Sequence, residues 1–494
     1  MKFPHIKYLK TSIFFLLLFS FCAYLGSFIF SYDAIFEQYN PLLFSDVARI
    51  QPEKILSIDR VNSTNQIREI ILDASRRWLK VSIAGSRHSQ GWHTYYKDTV
   101  VIDMRSYNQI LSLDIKNNLL TVQAWAKWSG IQEYLNPYNL AVKVMQSSNL
   151  FTIGWTLSAN AHGRDRIISS VVETVESFRL LTASGETLNV SRDENPELFS
   201  SVIGWYGLFG IILDVTLSVT QNELYSQSAN IIKAWEFWDY FEKNVRYNTG
   251  IAMMLARPSI ATDTFFDELV VSTWSYQEEP IGHELKMLTQ ESNVWRDKFF
   301  FWLSRKYDWA KDLRWYLQKR VELSVWKTRL MTRNNSMRPP LAPLEFLEYY
   351  SKKDTDIIQE YYIPISQYKS FIQNFQSILR KDTVNVISFT IRYVKANHET
   401  LLPYCGKEDC FAIIFMANVG LDQWSQARIE KTTQSLVESA ITHSWTYYLT
   451  YQLYPTSVQI RAMYPNFDRF ITLKKKYDPQ ELFINKFYKK YENK

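Results

Sequence analysis

From Thr11 to Tyr32 the chain carries 22 consecutive uncharged residues, including SIFFLLLFSFCAYLGSFIF. As a helix this stretch spans about 33 Å, enough to cross the hydrocarbon core of a bilayer. Lys2, Lys7 and Lys10 precede it; Asp33, Glu37 and Asp46 follow, with no basic residue before Arg49. That bias predicts a cytoplasmic N-terminus and an exported body. A cleaved signal peptide is the alternative, but no small-x-small site stands out after the apolar run, so a retained anchor is preferred.

Beyond a polar connector at 33–55 the pattern changes to short elements. Ser63 to Leu79 reads as a helix with Ser63 or Thr64 as N-cap, flanked by short β-rich strands that run to 104. Residues 119–219 continue in α+β style. Between about 222 and 445 aromatic content rises. FFFWLSRKYDWAKDLRWYLQKRVELSVW (299–326) has helically spaced apolar residues interleaved with Lys and Arg. It suits a helix packed on a cap domain better than one lying on a membrane surface. Pro339–Pro340 breaks any helix in 332–347, which reads as an ordered loop.

A chain of 494 residues is too long for one ordinary core, which predicts two domains. Hydrophobic residues at 46% and aromatics at 16% indicate a packed globular protein. A net charge of +6 without a dense basic run gives no case for nucleic acid as a partner. Cys405 and Cys410, in PYCGKEDCF, suit a disulfide across a tight hairpin, with two free thiols as the alternative; two cysteines alone make a poor zinc site, and no metal is expected.

Two loops carry the candidate chemistry. IAGSRHSQG (83–91) follows the apolar strand positions Leu79, Val81 and Ile83 and sets His88 between Gly85 and Gly91. Those glycines allow close backbone approach to a ligand, and Ser86, Ser89 and free N–H groups suit a phosphate. Seventy residues on comes TIGWTLSANAHGRD (152–165). Gly204, Gly207 and Gly210 in GWYGLFG precede the strand-like IILDVTLSV, not a helix, which argues against a Rossmann fingerprint.

Taken in order, these loops, VVIDM (100–104), LLTVQAWAKWSGIQEYL (119–135), NPELFSSVIGWYGLFGIILDVTLSV (195–219) and RAMYPNFDRFITLKKKYDPQELFINKFYKKY (461–491) resemble the vanillyl-alcohol oxidase / p-cresol methylhydroxylase (PCMH-type) flavoproteins. The resemblance is nearest the branch of sugar, alditol and aldonolactone oxidases and decaprenylphosphoryl-ribose oxidases. It implies an α+β fold: a two-part FAD-binding domain (56–222, completed by 446–494) interrupted by an α+β cap domain with a central antiparallel sheet (223–445), behind the anchor at 1–32.

The resemblance also implies site residues. FAD would be held by Gly85, Ser86, Arg87, His88, Ser89 and Gly91, and by Gly154, Thr156, Ser158, Asn160, His162 and Gly163. Gly210 and Ile211 would meet the adenine end, and Asn485 would return to the flavin. His88 stands where many members link the flavin covalently; a cysteinyl link is excluded, since no cysteine falls between Cys22 and Cys405. His93 is a rival with a core role preferred, and His162 is either structural or catalytic. Trp155 and Trp205 replace glycines and are expected to point away from the cofactor.

On the substrate side, SFTIRYV (388–394) keeps Arg392 but has Thr390 where relatives carry the glutamate of a Glu-x-Arg pair. Glu360 is the substitute carboxylate, and Tyr451 stands where decaprenylphosphoryl-ribose oxidases carry a lysine. The expected function is oxidation of an alcohol carbon of a sugar, polyol or lactone by hydride transfer to flavin N5. The partners implied are a small hydroxylated substrate, the membrane, and O2 or a membrane redox partner as electron acceptor. A lipid-linked-sugar oxidase and a non-catalytic flavin-binding partner protein remain as alternatives.

Overall fold

The computed structural model describes residues 5–33, 42–85, 87–292, 294–325, 329–339, 349 and 351–493. Lys2, Glu37 and Ser86 lie outside the described residues, as does the 340–347 part of the expected loop. The order of elements is a mixed helix-and-sheet one, built on three principal sheets.

The first sheet is parallel. Strands β1 (Ser57–Arg60) and β2 (Val81–Ala84) both pair with β3 (Val100–Asp103). β3 is buried at every position, as expected of a strand covered on both faces. Helix α2 (Thr64–Arg76) connects β1 to β2. It starts where the Ser63 side chain accepts the N–H of Gln66, and it buries Ile67, Ile71 and Ala74 at helical spacing.

The second sheet is antiparallel in the order β8 (Thr187–Ser191), β7 (Val175–Leu181), β9 (Ile211–Gln221), β5 (Leu119–Gln123), β4 (Ile110–Asp114), with β6 (Leu140–Val142) also on β9. The closing segment returns to the first sheet. Val81 and Leu482–Ile484 exchange backbone hydrogen bonds, and the Ser82 hydroxyl donates to the Ile484 carbonyl at 2.6 Å.

The third sheet has eight antiparallel strands: β13 (Arg329–Thr332), β10 (Leu224–Lys233), β12 (Glu268–Gln277), β11 (Ile251–Pro258), β15 (Val386–Val394), β16 (Cys410–Gly420), β14 (Asp354–Pro364) and β17 (Thr446–Tyr447). Alternation along these strands gives the sheet two different faces. Tyr361, Phe389 and Phe415 pack on Phe375 of helix α6 (Tyr368–Lys381). Their neighbours Glu360, Thr390 and Ile414 line a cavity on the other face. Cys405 and Cys410 form a disulfide at the mouth of the β15–β16 hairpin.

Helix α1 (His5–Asp33) contains a 19-residue span, Thr11–Ile29, with a mean hydropathy of 2.1, long and apolar enough to cross a membrane. Near its end Phe28 packs its ring edge-on against Trp295, Phe299 and Trp302, 5.4–5.9 Å between centroids.

Two expectations are corrected. The 299–326 pattern is not one helix but two, α4 (Val294–Lys306) and α5 (Asp308–Val325). The halves bury different faces, Phe301 against Ile387 and Met416 and Trp315 against Ala261 and Val270, which a single straight helix does not reach. The described part of the 33–55 stretch is not a free polar connector. Phe44 and Ala48 are fully buried, and Asp46 nearly so, beneath the His88 loop.

Candidate active site

The loop after β2 forms the first wall of a cleft. Its backbone is tied from below: Arg87 O accepts the Val47 N–H, and the Asp46 carboxyl accepts the N–H groups of Ala48 and Trp92, all at 3.1 Å. Burial, partly offset by those N–H groups, pushes Asp46 up to about 7. Gly85 is required here, because an added Cβ would stand 2.6 Å from Trp125 Nε1. Arg87 adopts φ 61° and lays its guanidinium 4.0 Å over the Phe44 ring.

The second wall is helix α3 (Ile153–Ala159), where Gly154 passes against the Ala124 carbonyl. The third is the 204–212 turn, with positive φ at Gly204, Tyr206, Gly207 and Gly210. At Gly210 (φ 148°) a Cβ would lie 2.6 Å from the Leu181 carbonyl, so no L side chain fits. Asn485 clamps the first and third walls, donating from Nδ2 to the carbonyls of His93 and Tyr206 at 3.1 Å each. His93 stacks on Tyr206 at 4.1 Å.

The cleft is narrow: of about 820 Å³ of empty space, open side included, only about 70 Å³ is wide enough for a water-sized sphere. At or beside it His88 Nδ1, Ser89 Oγ, His93 Nε2 and Thr94 Oγ1 are buried without a hydrogen-bond partner among the described residues. Buried polar groups left this way are costly unless a ligand satisfies them. A narrow cleft of glycine backbone, aromatic rings and unused hydrogen-bonding atoms fits an extended FAD. Burial, aided by the charge of Lys127, pulls His88 down to about 4, so its imidazole is neutral and nucleophilic at neutral pH.

A second cavity of about 1590 Å³, mouth included, adjoins the first; His88, Phe151 and Trp155 line both. Its chemistry gathers on the alternating face of the third sheet. Glu360 accepts a hydrogen bond at each carboxylate oxygen, one shared with His162 Nε2 and one from the Tyr451 hydroxyl at 3.1 Å. Both His162 and Glu360 are about 2% exposed. Burial alone would raise the Glu360 pKa, but the His162 charge and hydrogen bond, with Arg392 beyond, hold it below the usual carboxylate value. Burial and the nearby Glu360 push the Tyr451 phenol well up. Arg392 donates to Ser147 Oγ at 2.7 Å and to the His162 carbonyl at 3.5 Å.

The register explains why a carboxylate is available despite Thr390. Thr390 pairs with Ile414, and Ile414 pairs with Glu360, so Glu360 lies in the same cross-strand row, two strands away. At ~4.8 Å per strand the carboxylate has moved about 10 Å along the row.

The structure brings together Glu360, His162, Tyr451 and Arg392, although nearly 300 residues separate the first and last of them in sequence. Gly85, Arg87, His88, Gly154, Ser158, Gly210 and Ile211 line the first cleft. Ser89, Gly91, Thr156, Asn160, Gly163 and Asn485 line neither space. Thr156 spends its hydroxyl inside the helix core on Thr152, Gln146 and Trp128. Asn160 caps α3 with φ 48°, and Gly163 makes room for the Met145 carbonyl. Trp155 is a correction: it points to the ligand space, not away, because Gly154-Trp155 is helical and the indole packs on Phe151 at 4.6 Å. Trp205 also lines the first cleft while packing on Phe470. Sequence reading missed Arg164 and Arg257, which also line the second cavity.

Residues 56–191 match the family model of an FAD binding domain, and residues 353–491 match that of D-arabinono-1,4-lactone oxidase. The mouse (Mus musculus) L-gulonolactone oxidase is 20% identical over 461 residues, covering 87% of this chain and 93% of that protein. An L-gulono-1,4-lactone dehydrogenase of Mycobacterium tuberculosis is 20% identical with coverage of 87% and 94%. The decaprenylphosphoryl-beta-D-ribose oxidase of Mycolicibacterium smegmatis is 29% identical over 159 residues, 32% of this chain and 35% of that one.

Proposed function

Because this chain belongs to the PCMH-type FAD-dependent oxidoreductases, in the branch of the aldonolactone oxidases, we propose that it oxidises a secondary or primary carbinol of a sugar, polyol or lactone at the His162–Glu360–Tyr451 cluster. The observation that carries this reading is the position of that cluster in a cavity sharing His88, Phe151 and Trp155 with the FAD cleft. Bound FAD supplies the hydride acceptor. The chain's own residues handle the proton. Glu360, held ionised, takes the substrate O–H proton directly or through Tyr451, and His162 fixes the carboxylate. Arg392 and Ser147 orient the substrate oxygen.

In the same reading His88 is the covalent attachment point, Gly85, Gly154 and the 204–212 turn hold the cofactor, and Asn485 positions its walls. The cofactor domain is 56–222 completed by 446–494, with 223–445 as the cap. Helix α1 is a retained anchor with its N-terminus cytoplasmic. A flavin-binding scaffold without turnover is set aside, since it has no use for a buried acid–base cluster at the cofactor's edge.

A lipid-linked sugar is the second reading. Phe301 of α4 packs on Ile387 and Met416, with Ile358 against them, and Ile358 and Met416 line the substrate cavity. The same helix receives Phe28 of α1. A substrate presented at the membrane surface would meet this side of the molecule.

Anaerobic mixing of FAD-loaded protein with polyols, sugars, aldonolactones and prenyl-phosphate sugars tests both. Bleaching of the flavin by a member of the panel is the expected result. A flavin that no member reduces rejects the carbinol-oxidase reading.

A further inference from the structure

Three guanidinium groups converge on one side of the substrate cavity. Arg257 lies on β11 and Arg392 on β15, both on the cavity face. Ala256 pairs with Ile391 in an antiparallel register, which sets Arg257 opposite Thr390. The row across the sheet therefore runs Arg257, Thr390, Ile414, Glu360, about 14 Å from end to end at ~4.8 Å per strand. Arg164 joins them from the loop after His162, its carbonyl accepting the Met254 N–H of β11 at 3.0 Å.

The charges at this end do not cancel. Glu322 of α5 takes Arg257 Nη1 at 3.1 Å. Among the described residues Arg392 donates to the Ser147 hydroxyl and the His162 carbonyl, and its buried Nε has no hydrogen-bond partner. Arg164 Nη1 donates to the Ser336 carbonyl at 3.1 Å and its guanidinium lies 5.5 Å over the Trp274 ring, but among the described residues no carboxylate pairs with it and its buried Nε has no partner. Glu360, across the row, is engaged with His162 and Tyr451. Arg257 is thus paired with Glu322 and Arg392 faces Glu360 across the row, while Arg164 has no carboxylate partner among the described residues. Arg164 is half-buried with its Nε fully enclosed, and a guanidinium held that way without an anion is costly to keep. None of the three arginines lines the first cleft, so the FAD pyrophosphate is not their partner. A glutamate at 390 would stand beside Arg257 and neutralise this end; threonine leaves the charge open to a ligand.

We propose that Arg164, with Arg257 and Arg392 beside it, binds an oxyanion group of the substrate, a carboxylate or a phosphate, so that the natural substrate is an acidic sugar derivative. This rests on the reading that the cavity is the substrate site. The guanidinium fork matches the planar oxygens of either anion.

The test uses full-length, FAD-loaded protein. Inorganic phosphate and acetate are titrated against chloride at equal ionic strength, read by the flavin difference spectrum and by thermal stability. Phosphate or acetate should give a saturating response that chloride does not, and the better of the two identifies the anion. Arg164→Met should weaken that response at least about tenfold, with Arg164→Lys intermediate. Thr390→Glu, which leaves every arginine in place, should abolish it, so a folding defect in one variant does not decide the matter. In flavin bleaching, an aldonate, uronate or sugar phosphate should outrun the neutral sugar of the same skeleton, and Arg164→Met should remove the difference. The inference is overturned if phosphate and acetate behave as chloride, or if both Arg164→Met and Thr390→Glu respond as wild type. If no sugar bleaches the flavin, the carbinol-oxidase reading fails, and the anion titration still decides this one.

Discussion

Replacing Glu360 with Gln changes one oxygen to an amide and keeps the side chain's shape, so the loss it causes is chemical. In the native site the two carboxylate oxygens serve two partners, His162 Nε2 and the Tyr451 hydroxyl. Glutamine has one acceptor oxygen and an NH2 that cannot accept, so one of these contacts is lost or must reverse. The leftover buried group costs about 1–3 kcal/mol of stability. The catalytic loss is larger, because the only carboxylate lining the cavity among the described residues is removed. General-base catalysis contributes about 10²- to 10⁴-fold, which at ~1.4 kcal/mol per decade is roughly 3–5 kcal/mol of barrier. The assay is anaerobic stopped-flow bleaching of the bound flavin at saturating substrate. Glu360→Gln should bind FAD normally, hold substrate with nearly unchanged affinity, and bleach about 10²- to 10⁴-fold more slowly. Tyr451→Phe, which leaves the carboxylate intact, should lose far less. A Glu360→Gln rate within a few-fold of wild type would refute the assignment of the base.

Three further outcomes follow from buried groups. His88→Ala should release all FAD into the supernatant on acid precipitation, whereas wild type keeps it in the pellet. Since His88 is pulled down to about 4, attachment in wild type should be pH-independent above about 5 and fail only near the His88 pKa. Asp46 is pushed from 3.8 to about 7, so the folded state keeps a proton that the unfolded state releases, and stability is lost as pH rises between those values. Asp46→Asn escapes this loss. Its advantage over wild type in urea unfolding should grow from pH 4 to pH 7, to at most about 4 kcal/mol, and then level off; a constant difference would contradict it. With Cys405 and Cys410 bonded, unreduced, denatured protein should show a single reactive thiol, Cys22. Closing so short a loop is worth about 2 kcal/mol, and Cys405→Ser should lower the unfolding midpoint accordingly.

The parts of the site legible in the sequence are those set by local chemistry. The glycines at 85, 154 and 210 announce close backbone approach, and His88 announces itself by standing between two of the loop's glycines. The Ser63 cap and the apolar spacing of Ile67, Ile71 and Ala74 mark α2 without help from elsewhere. What depends on register was not legible. That Glu360 lies in one row with Thr390, and that it meets His162 from 198 residues away, follows from strand pairings no local pattern encodes. The glycine before Trp155 suggests a turn, whereas the segment is helical and aims the indole at the ligand space. Arg164 and Arg257 look like ordinary charged residues until β11 and β15 are set side by side. Phe44 and Asp46 sit in a stretch that reads as a linker and packs as a floor.

On the proposed mechanism, a hydroxylated carbon gives its hydrogen to FAD in the cavity beside His88 while Glu360 takes the proton. The most direct measurement is single-turnover bleaching of the flavin with a reducing sugar derivative carrying deuterium at the carbinol carbon. In wild type, bleaching should be several-fold slower with deuterium than with hydrogen. Bleaching that is insensitive to that deuterium, or a flavin reduced equally by analogues lacking the hydroxyl, would contradict it.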